Sequence, residues 1–338
     1  MSERWPDLAS RAIGGTVIWA NDEFFAGAEN LITPGPAVHD TSAYALRGKV
    51  YDGWETRRRR EAGQDEAIVR LGVPGIVRQV VVDTAFFVGN YPPFASVDGA
   101  CVLGYPTADE VRTAPWARLV AKSPLHGAAL NVLTAEAADR LITHVRLTIY
   151  PDGGVARLRV HGEVVPDPRW LGGRVDLAAT VHGGRIADCS NMFYASPANV
   201  LAPGIAATTS DGWETARRRD DGNDWLIVAL AAPGVLHDAL IDTSRFVGNA
   251  PGWAALADAD TGASLLPRTP LLPDTEHRLR LRPAAPVSRA RLDIYPDGGL
   301  SRLRLNGSVA PEARDAVAQR WRALLPAGLA VASDEFFD

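Results

Sequence analysis

Apolar positions along this chain alternate with polar ones or gather in short runs, and Pro-Gly pairs break them. Ala67-Ile68-Val69-Arg70-Leu71 leads to Pro74-Gly75, and a second run extends from Val77 to Asp83. The same succession returns at Trp225 to Leu230, Pro233-Gly234 and Leu236 to Asp242. Such runs, bounded by turn residues, predict strands. Val145 to Tyr150 alternates, Pro151-Asp152-Gly153-Gly154 follows, and Val155 to Val160 alternates again. That predicts a hairpin, because proline presets the entry φ and glycine supplies a positive one. Helical patterning is sparse, at Ala135 to Leu141 and Pro311 to Leu325, where Pro311 suits a first helical turn. Short strands between Pro/Gly turns, without interleaved helices, predict an all-β fold of antiparallel sandwich type with few short helices.

The pattern is duplicated. Asp52-Gly53-Trp54-Glu55-Thr56-Arg57-Arg58-Arg59-Arg60 recurs as Asp211-Gly212-Trp213-Glu214-Thr215-Ala216-Arg217-Arg218-Arg219, 159 residues later. Val82-Asp83-Thr84 through Phe87-Val88-Gly89-Asn90 recurs at the same offset as Ile241-Asp242-Thr243 through Phe246-Val247-Gly248-Asn249. Arg146 to Gly154 recurs as Arg291 to Gly299 at an offset of 145, so the second copy lacks 14 residues in between. Upstream, Asn21-Asp22-Glu23-Phe24-Phe25 matches Ser190-Asn191-Met192-Phe193-Tyr194 at an offset of 169. The first copy therefore carries about 10 extra residues, within Thr33 to Lys49. The opening motif returns as Ser333-Asp334-Glu335-Phe336-Phe337, a third start with no third body, which predicts a segment closing the second copy. The division is an N-terminal segment 1–13, a first repeat 14–178 and a second repeat 179–338, a tandem duplication and not a solenoid.

Composition narrows the class. Apolar residues make up 46% and charged residues 22% of 338, the balance of a packed soluble protein. A net charge of -5 argues against a nucleic-acid partner. Arginine far outnumbers lysine, and arginine suits bidentate pairing with planar anions. The polar start of the chain is no signal peptide, and no apolar run reaches the roughly 20 residues that span a bilayer, so no membrane is expected. Two cysteines without a Cys-x-x-Cys motif fit a reducing, cytoplasmic compartment.

The candidate chemistry sits in the duplicated motifs. Glu55 and Glu214 lie beside Arg57, Arg58, Arg217 and Arg218, carboxylate next to guanidinium, able to orient an amide and to clamp a carboxylate. Structural ion pairs and a solvated basic edge are the competing reading. Asp83-Thr84 and Asp242-Thr243 end apolar strands, where a sandwich presents ligand groups or where Asp caps its own backbone. Asn90 and Asn249, each after glycine, suit left-handed turn positions or a ligand contact. The Tyr-Pro-Asp-Gly-Gly segments are assigned to turn structure. Phe24 and Phe25 read as core anchors. The seven histidines are scattered with no metal-binding spacing, and there is no P-loop or nucleophile elbow. No cofactor is called for, and the carboxylates leave room for a weakly held divalent metal such as Mn²⁺.

These motifs resemble the allantoicase family over essentially the whole chain, from Gly14 onward. The features are the duplicated Asp-Gly-Trp-Glu-Thr with arginines, the Asp-Thr-x-x-Phe-x-Gly-Asn segment, the Arg-Leu-x-Ile-Tyr-Pro-Asp-Gly-Gly segment and Glu29-Asn30-Leu31. The resemblance implies two tandem jelly-roll β-sandwich repeats, like those of galactose-binding domains, in a homo-oligomer. It also implies a ureohydrolase that converts allantoate and water to ureidoglycolate and urea. Family members often carry histidine where this chain has Phe86 and Arg245, which puts a histidine acid or base in doubt. For such a substrate, arginines would hold the carboxylate and Glu55, Glu214, Asp83 and Asp242 would accept ureido N–H groups. A glutamic acid of raised pKa would serve as acid and an ionised aspartate as base. The competing class is a non-catalytic tandem β-sandwich module that binds a sugar or other polar ligand.

Overall fold

The computed structural model describes residues 5–40, 42–46, 48–136, 139–282, 285–329, 331–332 and 335–337. It divides into two compact units, one running up to Val165 with Leu324–Leu329, the other Pro166–Ala323 with the residues from 330 on. The contact break at Val165/Pro166 lies upstream of the 178/179 division drawn from the repeats.

Each unit is built on one long bent strand. In the first unit this is Asp65–Asp83, 19 residues. Its N-terminal half pairs antiparallel with Thr16–Ala20 on one side and Ile142–Tyr150 on the other. Its C-terminal half pairs with Arg157–Val164 and Leu130–Thr134. Phe94–Ala100 and Ala117–Pro124 extend the first layer. The expected turn at Pro74-Gly75 is therefore a bend, not a reversal. Gly75 pairs with both Ile142 and Val164, so it is where the strand passes between layers. A Cβ there would lie 2.4 Å from the Glu163 carbonyl oxygen, which leaves glycine as the residue that fits. Proline, which lacks an N–H, is tolerated beside such a break in the ladder.

The second unit repeats the plan on Asp224–Asp242, also 19 residues. Arg185–Cys189 and Val287–Tyr295 flank its first half, and Glu276–Arg280 and Arg302–Val309 flank its second. Gly234 pairs with both Val287 and Val309. The all-β jelly-roll sandwich in two tandem copies is thus present. Its cores are the inward-facing aliphatic positions of these strands, with Trp54 and Trp213 fully buried.

The predicted hairpin around Pro-Asp-Gly-Gly does not form. Ile142–Tyr150 and Arg157–Val164 pair with opposite halves of the long strand, not with each other. Between them, Gly154-Val155 pairs with the two-residue strand Trp54–Glu55. The turn residues carry the chain from one layer to the other across the end of the sandwich. Gly153 has φ +143°, and a Cβ on Gly154 would lie 2.0 Å from the Phe87 ring. The turn chemistry is the same for either connection, and spacing alone does not choose the partner strand.

Pro311–Ala323 is helical as expected. The helix expected over Ala135–Leu141 does not form at 135–136 or 139–141, and residues 137–138 lie outside the described ones. A short helix at Ala108–Arg112 is held by a capping box, Thr107 with Glu110. Of the closing motif, Ser333 and Asp334 lie outside the described residues. Phe336 meets Trp321 edge-on at 5.9 Å and the Phe337 N–H donates to the Pro168 carbonyl, so the segment closes the second unit. Phe24 and Phe25 are not core anchors. They are 37% and 42% exposed and pack edge-to-face at 5.0 Å.

Candidate active site

The site begins with Trp54. Its indole is buried and donates to the Asp22 carbonyl at 2.8 Å, which anchors the short strand Trp54–Glu55. Glu55 is flanked by backbone partners on both sides, Gly154 and Ala26. The next residue, Thr56, is buried, and its hydroxyl accepts from the Gly153 N–H at 3.1 Å. Trp54 turns inward, so Glu55 turns toward a cleft of about 840 Å³, within the roughly 300–1,000 Å³ common for small-molecule sites. Arg57 to Arg60, Asn90, Tyr91, Asp152 and Phe25 share its walls.

Inside the cleft, Asn90 donates from Nδ2 to Glu55 Oε1 at 2.7 Å. The Asn90 carbonyl in turn accepts from the Gly154 N–H at 2.8 Å, so the asparagine is fixed at both ends. Burial pushes the Glu55 carboxyl above the ordinary range, and the Asn90 hydrogen bond opposes that shift. With Oε1 occupied as an acceptor, the proton of the acid form belongs on Oε2. No histidine is among the residues lining the cleft, whose titratable side chains are Glu55, Asp152, Tyr91 and the arginines.

The arginines divide by role. Arg59 is structural: Nε donates to the buried Asp65 at 2.9 Å and its backbone N–H to Asp152 Oδ2 at 2.8 Å. Arg57 is held by Asp22, Nε to Oδ2 at 2.6 Å, and its guanidinium lies over the Phe24 ring. Burial works against ionisation of Asp22, but hydrogen bonds from Phe24 and Arg57 outweigh it and hold the carboxyl below the usual range. Arg58 and Arg60 are exposed, line the cleft, and make no ion pair or hydrogen bond with another described residue. Two uncompensated guanidinium groups beside a half-buried carboxyl make a site for a small anion that also needs a proton.

The second copy preserves the core of this arrangement. Asn249 donates to Glu214 at 2.6 Å, Thr215 accepts from the Gly298 N–H at 3.1 Å, and Trp213 donates to the Asn191 carbonyl at 2.7 Å. Arg217 is exposed and without a partner among the described residues. Arg218, expected to bind substrate, is the counterpart of Arg59 and is held by Asp224 and Asp220. Ala216 and Asn191 stand where the first copy has Arg57 and Asp22, and the Asn191 side chain still accepts from the backbone N–H at 3.1 Å.

The other expected residues lie elsewhere. Asp83 Oδ1 accepts from the Ala85 N–H at 2.8 Å, and Asp242 accepts from Ser244, so both carboxylates cap their own turns. Thr84 and Thr243 are fully buried and donate to loop carbonyls, at 2.6 Å to His126 and to Leu272. Asp83 and Thr84 are not among the residues lining the cleft. Asn90 and Asn249 hold the glutamates and are not left-handed; positive φ falls instead at Phe86 (69°) and Arg245 (73°). Arg60, Tyr91 and Asp152 line the cleft without having been singled out from sequence. Retention in both copies marks Arg60 and Asp152, the latter hidden by a sufficient turn explanation. As to a metal such as Mn²⁺, no three His, Cys, Asp or Glu side chains converge among the described residues.

A duplicated β-sandwich whose crossover places a half-buried carboxyl among arginines has the outline of a hydrolase for a small carboxylated substrate. A family model described as "Allantoicase repeat" matches residues 6–165 and again 175–310. A probable allantoicase of Nocardia farcinica is 54% identical over 311 residues, covering 90% of this chain and 94% of that protein. One from Streptomyces coelicolor is 46% identical over 95% of this chain and 90% of its own length. The crystal structure of allantoicase from Saccharomyces cerevisiae superposes with a TM-score of 0.78 at 34% identity, over 89% of this chain and 92% of that one. The chain belongs to the allantoicase family.

Proposed function

We propose that the first copy's cleft hydrolyses allantoate, a step of purine degradation, yielding ureidoglycolate and urea. Allantoate carries one carboxylate and two ureido groups on a single carbon. Arg58 and Arg60 pair with the carboxylate, where two unneutralised guanidinium groups outweigh the hydration given up. Glu55, protonated on Oε2 and held by Asn90, gives its proton to the departing ureido nitrogen. The observation that carries this reading is the Asn90–Glu55 pair at 2.7 Å in a cleft that Arg58 and Arg60 also line.

The presence of just two cysteines, Cys101 and Cys189, with no Cys-x-x-Cys motif, supports a cytoplasmic setting. The family resemblance supports a homo-oligomer, which sedimentation velocity tests. For the activity itself, purified protein is incubated with allantoate, with and without added Mn²⁺, and urea is measured. Urea release is expected. Its absence under both conditions, with allantoate still bound in calorimetry, would put a non-catalytic binding module in its place.

A further inference from the structure

Hydrolysis at the central carbon needs two proton transfers, one to the leaving nitrogen and one from the incoming water. Glu55 supplies the first. The aspartate expected from sequence for the second, Asp83, is only 7% exposed and caps the Ala85 N–H outside the cleft. Of the residues lining the cleft, the carboxylates are Glu55 and Asp152. The crossover brings the second one in. Gly154 pairs in register with Glu55, and Asp152 precedes it by two residues on the same turn. Asp152 Oδ2 accepts from the Arg59 N–H at 2.8 Å, and Oδ1 makes no hydrogen bond with another described residue.

We infer that Asp152 is the general base, its Oδ1 taking the proton of the attacking water; this rests on the allantoate reading above. The bond changes balance. The C–N bond between the central carbon and one ureido group breaks, and its electron pair stays on that nitrogen. The nitrogen takes the Glu55 proton and leaves as urea. The water oxygen forms the new C–O bond and loses its proton to Asp152. Glu55 ends as carboxylate and Asp152 as acid, and exchange with solvent through the open cleft resets both.

A structural alternative exists, because Asp297 makes the same 2.8 Å bond to the Arg218 N–H in the second unit. That duplication supplies the control. Asp152→Asn keeps an oxygen for the Arg59 N–H and loses the basic site; Asp297→Asn does the same to the twin. Expected for Asp152→Asn is a loss of kcat of about 10²-fold with KM within about threefold, and for Asp297→Asn a kcat within about twofold. Equal losses in the two variants would show a backbone cap and overturn the proposal, as would an Asp152→Asn enzyme with near-normal kcat. Should Asp152→Asn not fold, Asp152→Glu decides, with at least about tenfold lower kcat expected at unchanged KM. An untouched wild-type rate of urea release separates failure of this assignment from failure of the allantoate reading, which an inactive wild type would refute along with it.

Discussion

The two copies agree at the buried anchors of the sandwich end and differ in the charged side chains closest to the Trp-Glu-Thr strand. Trp54 and Trp213 are buried alike and donate to the carbonyls of Asp22 and Asn191. Thr56 and Thr215 grip Gly153 and Gly298 at the same 3.1 Å. Arg59 and Arg218 neutralise the buried Asp65 and Asp224. The divergence lies around the glutamate. Asp22, Glu23 and Arg57 of the first copy become Asn191, Met192 and Ala216 in the second. Glu23 Oε1 accepts from the Ala28 N–H at 2.7 Å, a bond methionine cannot make. The shared set includes the Asn–Glu pair and Arg58/Arg217 as well as the buried anchors, and what the first copy adds is the charged trio Asp22, Glu23 and Arg57 around its glutamate.

The comparison can be pressed at several points. The largest expected effect is on stability and falls on both copies equally: Trp54→Ala and Trp213→Ala should each destabilise by about 3–5 kcal/mol in denaturant titration. A much smaller loss in one would mean that the copies are not built alike. Next, Arg58→Ala should raise KM for allantoate roughly ten- to hundredfold, the loss of a charge-assisted contact, while Arg217→Ala should change it by less than about threefold. Equal effects would move substrate binding into both copies. Smaller still is the effect of Asn90→Ala. Glu55 acts in its protonated form, so kcat falls as pH rises through its raised pKa, and the Asn90 bond pulls that pKa down. Removing Asn90 should therefore shift the alkaline fall of kcat to higher pH, and a shift the other way would sink the assignment. The smallest concerns stability. A carboxyl with a raised folded-state pKa favours the folded state least above that pKa, so the Tm of Glu55→Gln should gain on wild type as pH increases.

Much of this was legible from sequence because the duplication acted as a filter. Glu55, Arg58 and the indole anchor stand out as polar or aromatic positions kept in both copies. The sandwich class followed from alternation and turn residues. What stayed hidden was direction. Pro74-Gly75 reads the same whether the chain reverses or bends between layers, and only Gly75 pairing with both Ile142 and Val164 distinguishes them. Asp83 at a strand end looks identical in sequence whether it faces a ligand or its own Ala85 N–H. Asp152 erred the other way: its turn role was sufficient, so its place in the cleft went unnoticed. Phe24 and Phe25 were apolar enough for the core, but they flank a solvent-facing site and stay exposed.

The central claim is that the first copy performs the chemistry through Glu55. Steady-state urea release from allantoate by Glu55→Gln and Glu214→Gln tests it most directly, each variant first shown to be folded. The account predicts a loss of kcat of at least about 10²-fold for Glu55→Gln and less than about tenfold for Glu214→Gln. Equal losses, or the larger loss in Glu214→Gln, would contradict it.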